Sequence, residues 1–175
     1  MRVTLIAAQS LDGFITKHAA PGSDFASSAD QVHLRNALAG FDCSVMGAET
    51  YRTARTQIRE RLTPPRLRTV LTRSPQNFAA DTLPGLLEFS SASPAQLLAD
   101  LSARALRRCA LLGGAQIHSL FLNSHLIDEL WLTVEPALFG RGTPLLAQAT
   151  DTRLRLLSQE KLAADTILLK YEVLR

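Results

Sequence analysis

Short apolar runs alternate with amphipathic stretches along the chain. Residues 3–8, Val-Thr-Leu-Ile-Ala-Ala, stop at Gln9-Ser10 and the turn pair Asp12-Gly13, which predicts a buried strand followed by a loop. Ser27-Ser28 supply N-caps for a helix to about residue 38, with Val32, Leu34 and Leu38 as its apolar stripe. A second strand over 43–46 ends at Gly47, and a helix is expected over 48–61 before Pro64-Pro65 breaks it. Strands follow at 67–71 and 86–89, and Ser93-Pro94 opens a helix expected to reach about residue 108. Residues 109–112 form a fifth strand, Gly113-Gly114 a tight turn, and 115–123 a helix with Ile117, Leu120 and Phe121 on one side. A sixth strand covers 128–135, and 154–162 with 166–174 read as an antiparallel hairpin about Ala163-Ala164-Asp165. Strands alternating with helices predict an α/β fold: a mostly parallel sheet covered on both faces, with an antiparallel edge. No repeat or linker divides the chain, so residues 1–175 are expected to form a single domain.

Composition narrows the class. With 175 residues, 46% hydrophobic and 20% charged, the chain is neither disordered nor in need of a disulfide or metal to hold it together. Cys43 and Cys109 each lie in an apolar run, without ligand spacing, and read as buried reduced thiols. The apolar start is too short for the core of a signal peptide, and no run reaches the roughly 20 residues of a membrane span. A cytoplasmic protein with no membrane contact is expected. A net charge of +3 and a pI near 9.2 suit an anionic small molecule. Arg52, Arg55 and Arg59 share one face of the expected helix and Arg104, Arg107 and Arg108 cluster, but at 6% aromatic content base-stacking platforms are few, and no nucleic-acid partner is expected.

In open α/β sheets ligands bind beyond the carboxyl ends of the strands. Leu112-Gly113-Gly114-Ala115-Gln116 joins a strand to a helix through two glycines, a form that lets main-chain N–H groups approach a diphosphate and that also serves a plain tight turn. Met46-Gly47-Ala48-Glu49-Thr50 has the same form, with Thr50 placed to bond a phosphate or to cap its helix. Leu71-Thr72-Arg73-Ser74 closes a third strand with two hydroxyls around a guanidinium, chemistry suited to a phosphate monoester such as the 2′-phosphate of NADP, or else an ordinary surface arginine. Neither G-x-G-x-x-G nor a P-loop occurs, hydrolase motifs are missing, and the histidines lack metal-ligand spacing, so no metal is expected. Asp30, in the first turn of the first helix, is the candidate proton donor, although a helix N-terminus favours its anion. His118 lies one turn into the helix after the glycine pair, either lining a pocket or packed.

In order, Ala8-Gln9-Ser10-Leu11-Asp12-Gly13, Val45-Met46-Gly47-Ala48-Glu49-Thr50-Tyr51, Leu112-Gly113-Gly114-Ala115-Gln116 and Leu126-Ile127-Asp128-Glu129-Leu130-Trp131-Leu132-Thr133 resemble the signature of the dihydrofolate reductase superfamily. With Phe139-Gly140 and Gly142, the set is most similar to the reductase domain of the bifunctional riboflavin-biosynthesis deaminase/reductase and its stand-alone relatives. The resemblance spans nearly the whole chain. It implies a three-layer, dihydrofolate-reductase-like fold with a mixed eight-stranded sheet, NADPH as hydride donor, and a homodimer. It places Ala8 near the nicotinamide, Gly47 and Thr50 near the phosphates, Leu71, Thr72, Arg73 and Ser74 at the adenosine end, and Gly113, Gly114, Ala115, Gln116 and Ile117 along the diphosphate. Asp30, His118 and Thr133 fall on the substrate side. The chain departs from the family in three places. Leu112 stands where an acid usually precedes the glycine pair, the substrate arginine late in the first helix is replaced around Leu38, with Arg35 nearby, and Ala48 replaces a basic residue common in dihydrofolate reductases. The expected function is an NADPH-dependent reductase resembling 5-amino-6-(5-phosphoribosylamino)uracil reductase, acting on a small heterocycle or imine. A pterin or dihydrofolate reductase and a non-catalytic nucleotide-binding protein are the alternatives.

Overall fold

The computed structural model describes residues 1–174. In chain order the elements are β1 (Arg2–Ser10), α1 (Ser28–Leu38), β2 (Cys43–Gly47), α2 (Ala48–Thr53), α3 (Arg55–Glu60), β3 (Leu67–Leu71), a 3₁₀ segment (Pro75–Asp81), β4 (Leu87–Ser90), α4 (Pro94–Ala103), β5 (Arg108–Leu111), α5 (Ala115–Asn123), β6 (Glu129–Glu135), β7 (Leu154–Lys161) and β8 (Ile167–Val173). One eight-stranded sheet runs in the order β4-β3-β2-β5-β1-β6-β8-β7. Every neighbouring pair from β4 to β6 is parallel, and β8 and β7 join antiparallel, as the alternation of elements and the terminal hairpin predict. Among the described residues no helix is long and apolar enough to cross a membrane.

The two faces of the sheet are covered by different helices. Leu97 and Leu101 of α4 and Phe121 of α5 pack on Val3, Leu5, Val45 and Leu111, and the fully buried free thiols of Cys43 and Cys109 lie side by side in that layer. On the other face Leu34 and Leu38 of α1 meet Ile6, Phe41 and Ala110, while Tyr51 of α2 meets Met46, Val70 and Phe78. The chain leaves the neighbouring strands β1 and β5 toward opposite faces, and the carboxyl ends of such a pair are the usual ligand position of an open α/β sheet.

Several expectations are corrected. The helix expected over 48–61 breaks at Ala54 into α2 and α3. The helix after Ser93 stops at Ala103, because Ala105 adopts a left-handed φ of 64° and Leu106 N closes back onto Leu101 O. Val32, expected inside, is 49% exposed, and the one buried residue of α1 is Asp30. On α5, Leu120 points outward while His118 and Ser119 are buried beside Phe121.

The arginine faces are tied to carboxylates. Arg55 and Arg59 both bind Asp81, which also accepts the Tyr51 hydroxyl at 2.9 Å, and Arg52 pairs with Glu49, Arg104 with Glu88. Asp81 is buried, and the Arg55 guanidinium ahead of the Tyr51 hydroxyl holds its carboxyl down to about 2. Removing the carboxylate charge weakens the bonds of the buried Tyr51 hydroxyl and of two guanidiniums that keep access to water. Asp81→Asn is therefore expected to cost about 1–2 kcal/mol in urea unfolding at neutral pH. A depressed carboxyl stabilises the fold above its unfolded value and loses that contribution as pH falls, so the difference from wild type shrinks between pH values of about 4 and 2.

Candidate active site

The carboxyl ends of β2, β5 and β3 form the first half of the site. Gly47 N donates to Gly113 O at 2.7 Å, locking the end of β2 to the loop after β5. A Cβ on Gly47 would stand 2.9 Å from Ile117 Cγ1, and one on Gly113, whose φ is +104°, would stand 2.9 Å from His118 Nε2. Only glycine lets these backbones approach so closely. A Cβ on Gly114 would meet just Thr50 Oγ1, at an ordinary 3.4 Å. Gly47, Thr50, Gly113, Gly114 and Ile117 are thus brought together, and the Gly113-Gly114 peptide is cis. The first N–H groups of α5, on Ala115 and Gln116, have no acceptor within the helix and carry its positive dipole end. Beside them β3 aligns Leu71 with Gly47, and the loop that follows is shaped by Thr72 Oγ1, which accepts from Ser74 N at 3.2 Å. Arg73 is exposed and makes no ion pair among the described residues.

The second half lies across β1, β6 and α1. Parallel pairing sets Ala8 beside Thr133 and Ser10 beside Glu135. Ser27 caps α1, its Oγ accepting Asp30 N at 3.2 Å, and this cap turns the Asp30 side chain inward, 7% exposed, to bond Thr133. Burial, foremost, and then the Glu135 charge raise the Asp30 carboxyl above its ordinary value. A helix N-terminus favours the anion, whereas this burial works against it. Asp30, Thr133 and Ala8 therefore meet toward the carboxyl ends of β1 and β6, and β1 pairs with β5, whose following loop carries Gly113.

His118 is placed differently from its expectation as a substrate contact. It is 1% exposed, Nδ1 donates to Leu145 O at 2.9 Å, and its ring backs Gly113 from the interior. Burial lowers it to about 4, so the ring is neutral at physiological pH. Gln116 is exposed on the first turn of α5, Arg35 is exposed on α1, and Leu112 packs among apolar neighbours.

Two contributors escaped the sequence reading. Asp12, read there as a turn residue, accepts the main-chain N–H groups of Phe139 and Gly140 at 3.0 and 2.7 Å and the Ser10 hydroxyl at 2.6 Å. It thereby fastens the loop after β1 to the loop after β6, and Thr16 Oγ1 adds a bond from Thr143 N at 2.8 Å. The pairing of S-L-D-G with the later F-G-x-G is the signal that links these loops. Glu135, the other, is a buried carboxylate at the end of β6.

Comparison with known proteins agrees with this architecture. The profile of the RibD C-terminal domain matches residues 1–168. No curated protein is significantly similar. Among solved structures, the chain superposes on a pyrimidine reductase-like protein from Corynebacterium diphtheriae with a TM-score of 0.79 and 20% identity, covering 99% of this chain and 92% of that one. It also superposes on the diaminohydroxyphosphoribosylaminopyrimidine deaminase/5-amino-6-(5-phosphoribosylamino)uracil reductase of Thermotoga maritima (TM-score 0.79, 18% identity, 98% of this chain and 56% of that one). RibD of Acinetobacter baumannii gives 0.80 at 22% identity, over 99% of this chain and 58% of that one. The chain spans little more than half the length of these last two. The likeness establishes the dihydrofolate-reductase-like, three-layer fold.

Proposed function

The chain belongs to the RibD C-terminal domain family, and we propose that it is an NADPH-dependent reductase of a small heterocycle or imine, of the class of 5-amino-6-(5-phosphoribosylamino)uracil. The observation that carries this reading is the meeting, at one sheet edge, of a glycine-lined helix N-terminus with a buried acid whose carboxyl is held above its ordinary value. The N–H groups of Gly114, Ala115 and Gln116, flanked by Gly47, Thr50 and Ile117, would hold the diphosphate. Leu71, Thr72 and Ser74 receive the adenosine end, and Arg73 takes the 2′-phosphate. Ala8, with its small side chain, leaves room for the nicotinamide beside Thr133. A nicotinamide cofactor bound there would supply the hydride, and with it the two electrons, that the substrate carbon takes up. Asp30 gives its proton to the adjoining substrate nitrogen, completing reduction of the C=N bond, and regains one from water. His118 stays behind Gly113 and holds the cradle from within.

A homodimer is part of the same reading. β7 is exposed along its whole length, and Leu154, Leu156, Leu157 and Ile167 leave an apolar strip at the end of the sheet. A second copy covers this strip, which sedimentation at micromolar concentration checks.

The function is tested by following NADPH consumption across ribosylaminouracils, pterins and simple imines. Saturable binding without consumption of cofactor by any of them would overturn the reductase reading. Trp131, the lone tryptophan, faces the same layer as Asp30, its ring under Lys170 Nζ at 4.4 Å, so quenching of its emission by NADPH reports binding. Arg73→Ala is expected to cut the preference for NADPH over NADH by about ten- to a hundredfold, the loss of one or two charge-assisted bonds. An unchanged ratio of Kd values would move the 2′-phosphate elsewhere.

A further inference from the structure

Glu135 is 3% exposed, carries no cationic partner among the described residues, and makes two contacts: Oε1 accepts Ser27 N at 2.8 Å and Oε2 accepts the Thr166 hydroxyl at 3.0 Å. Ser27 is the cap of α1, and Thr166 immediately precedes β8. Glu135 thus joins three elements at one point, and the helix it seats is the one whose first turn carries Asp30. Residues 133 and 135 share a face of β6, so the carboxylate stands one pleat beyond the Thr133 hydroxyl that bonds Asp30. The charge of Glu135 therefore faces the Asp30 carboxyl from one pleat away.

We propose that Glu135 is a positioning residue for Asp30: it anchors the first turn of α1 to the ends of β6 and β8 and supplies the like charge against which the Asp30 carboxyl is held. The inference rests on the reading of Asp30 as proton donor. The groups facing Asp30 are Thr133 and Glu135 from β6 and His33 from its own helix, and His33 in turn faces Lys170 of β8 and Glu160 of β7. Of these, Glu135 alone is tied to the cap of α1.

Glu135→Gln keeps both bonds in kind, because its amide oxygen accepts from Ser27 N and its amide nitrogen donates to Thr166 Oγ1, but it removes the charge. Since transfer requires protonated Asp30, kcat/KM falls as pH rises through the Asp30 titration. In the Gln variant that falling limb moves to lower pH, because the like charge that helps hold the proton is gone. Glu135→Met, which loses the bonds as well, also lowers kcat below that of the Gln variant. A second readout needs no turnover: the Gln variant melts higher than wild type at pH 8, the difference fades toward pH 4, and it is absent when Asp30 is already Asn. An unmoved limb together with an unmoved Tm–pH curve overturns the proposal. Should Asp30→Asn leave turnover intact, the proton-donor reading falls, and the thermal coupling alone decides whether Glu135 positions Asp30.

Discussion

Gly114→Asp is expected to weaken dinucleotide binding strongly and to leave the fold standing, whereas Gly113→Ala is expected to damage the fold itself. The two glycines are adjacent but do different work. At Gly113 the backbone has φ +104° and the added Cβ would press on His118 Nε2 at 2.9 Å, inside the molecule. Strain and overpacking together are expected to cost about 2–4 kcal/mol. At Gly114 an added Cβ meets only Thr50 Oγ1 at 3.4 Å, on the side proposed for the diphosphate. A carboxylate there faces the phosphates directly, and like-charge juxtaposition of several kcal/mol weakens binding by more than about a hundredfold. Gly114→Ala carries the same Cβ without the charge and serves as the control: it binds NADPH more weakly than wild type and far better than the Asp variant. Titration of Trp131 emission with NADPH, beside a thermal melt of each variant, separates the outcomes. Equal affinity of the Ala and Asp variants would remove the diphosphate from this loop.

The parallel core of the sheet was legible because each buried strand is a short apolar run closed by glycine or a polar pair, and Ser27 and Ser93 announced their helices by their caps. Helix ends were less legible. Ala105 takes the left-handed position usually given to glycine, so nothing in the composition marks the end of α4 at Ala103. The break at Ala54 has no glycine or proline to signal it either; there Arg55 and Arg59 turn onto Asp81, a residue far along the chain. Stripe positions misled wherever a polar residue took the inner face: Asp30 instead of Val32 on α1, and His118 and Ser119 instead of Leu120 on α5.

In the candidate site, local form was readable and tertiary consequence was not. Two strand–glycine–helix loops on neighbouring strands could be named from their residues alone. Their mutual lock, Gly47 N on Gly113 O, follows from the β2/β5 pairing, which no local pattern encodes. The same holds for the inward turn of His118, which depends on Leu145 O, and for Asp12, whose partners Phe139 and Gly140 lie on a distant loop. The Asp30 carboxyl illustrates the point in energies. From sequence only the helix N-terminus is visible, and it lowers such a group, while the burial and the Glu135 charge that reverse the sign arise from β6.

That reversal leads to the second large effect, Asp30→Asn. Asparagine preserves the size and one acceptor oxygen of the side chain, so the bond to Thr133 and the packing of α1 survive, but the transferable proton is gone. Loss of general-acid catalysis is expected to lower kcat by about 10² to 10⁴ with little change in the Kd for NADPH. The falling limb of kcat/KM at rising pH, present in wild type, should vanish with it. Stability moves the other way. A carboxyl raised in the folded state contributes fully below its unfolded value and loses that contribution as pH rises through its folded one, so above that folded value the wild-type chain bears the cost of an ionised buried group. The Asn variant should therefore melt at or above the wild-type temperature at pH 7, and any advantage should disappear in acid. A slower enzyme that is equally or more stable, with cofactor affinity intact, identifies Asp30 as an acid retained for chemistry. A variant that turns over normally would return the proton to water, and one that melts well below wild type at pH 7 would make Asp30 a structural anchor.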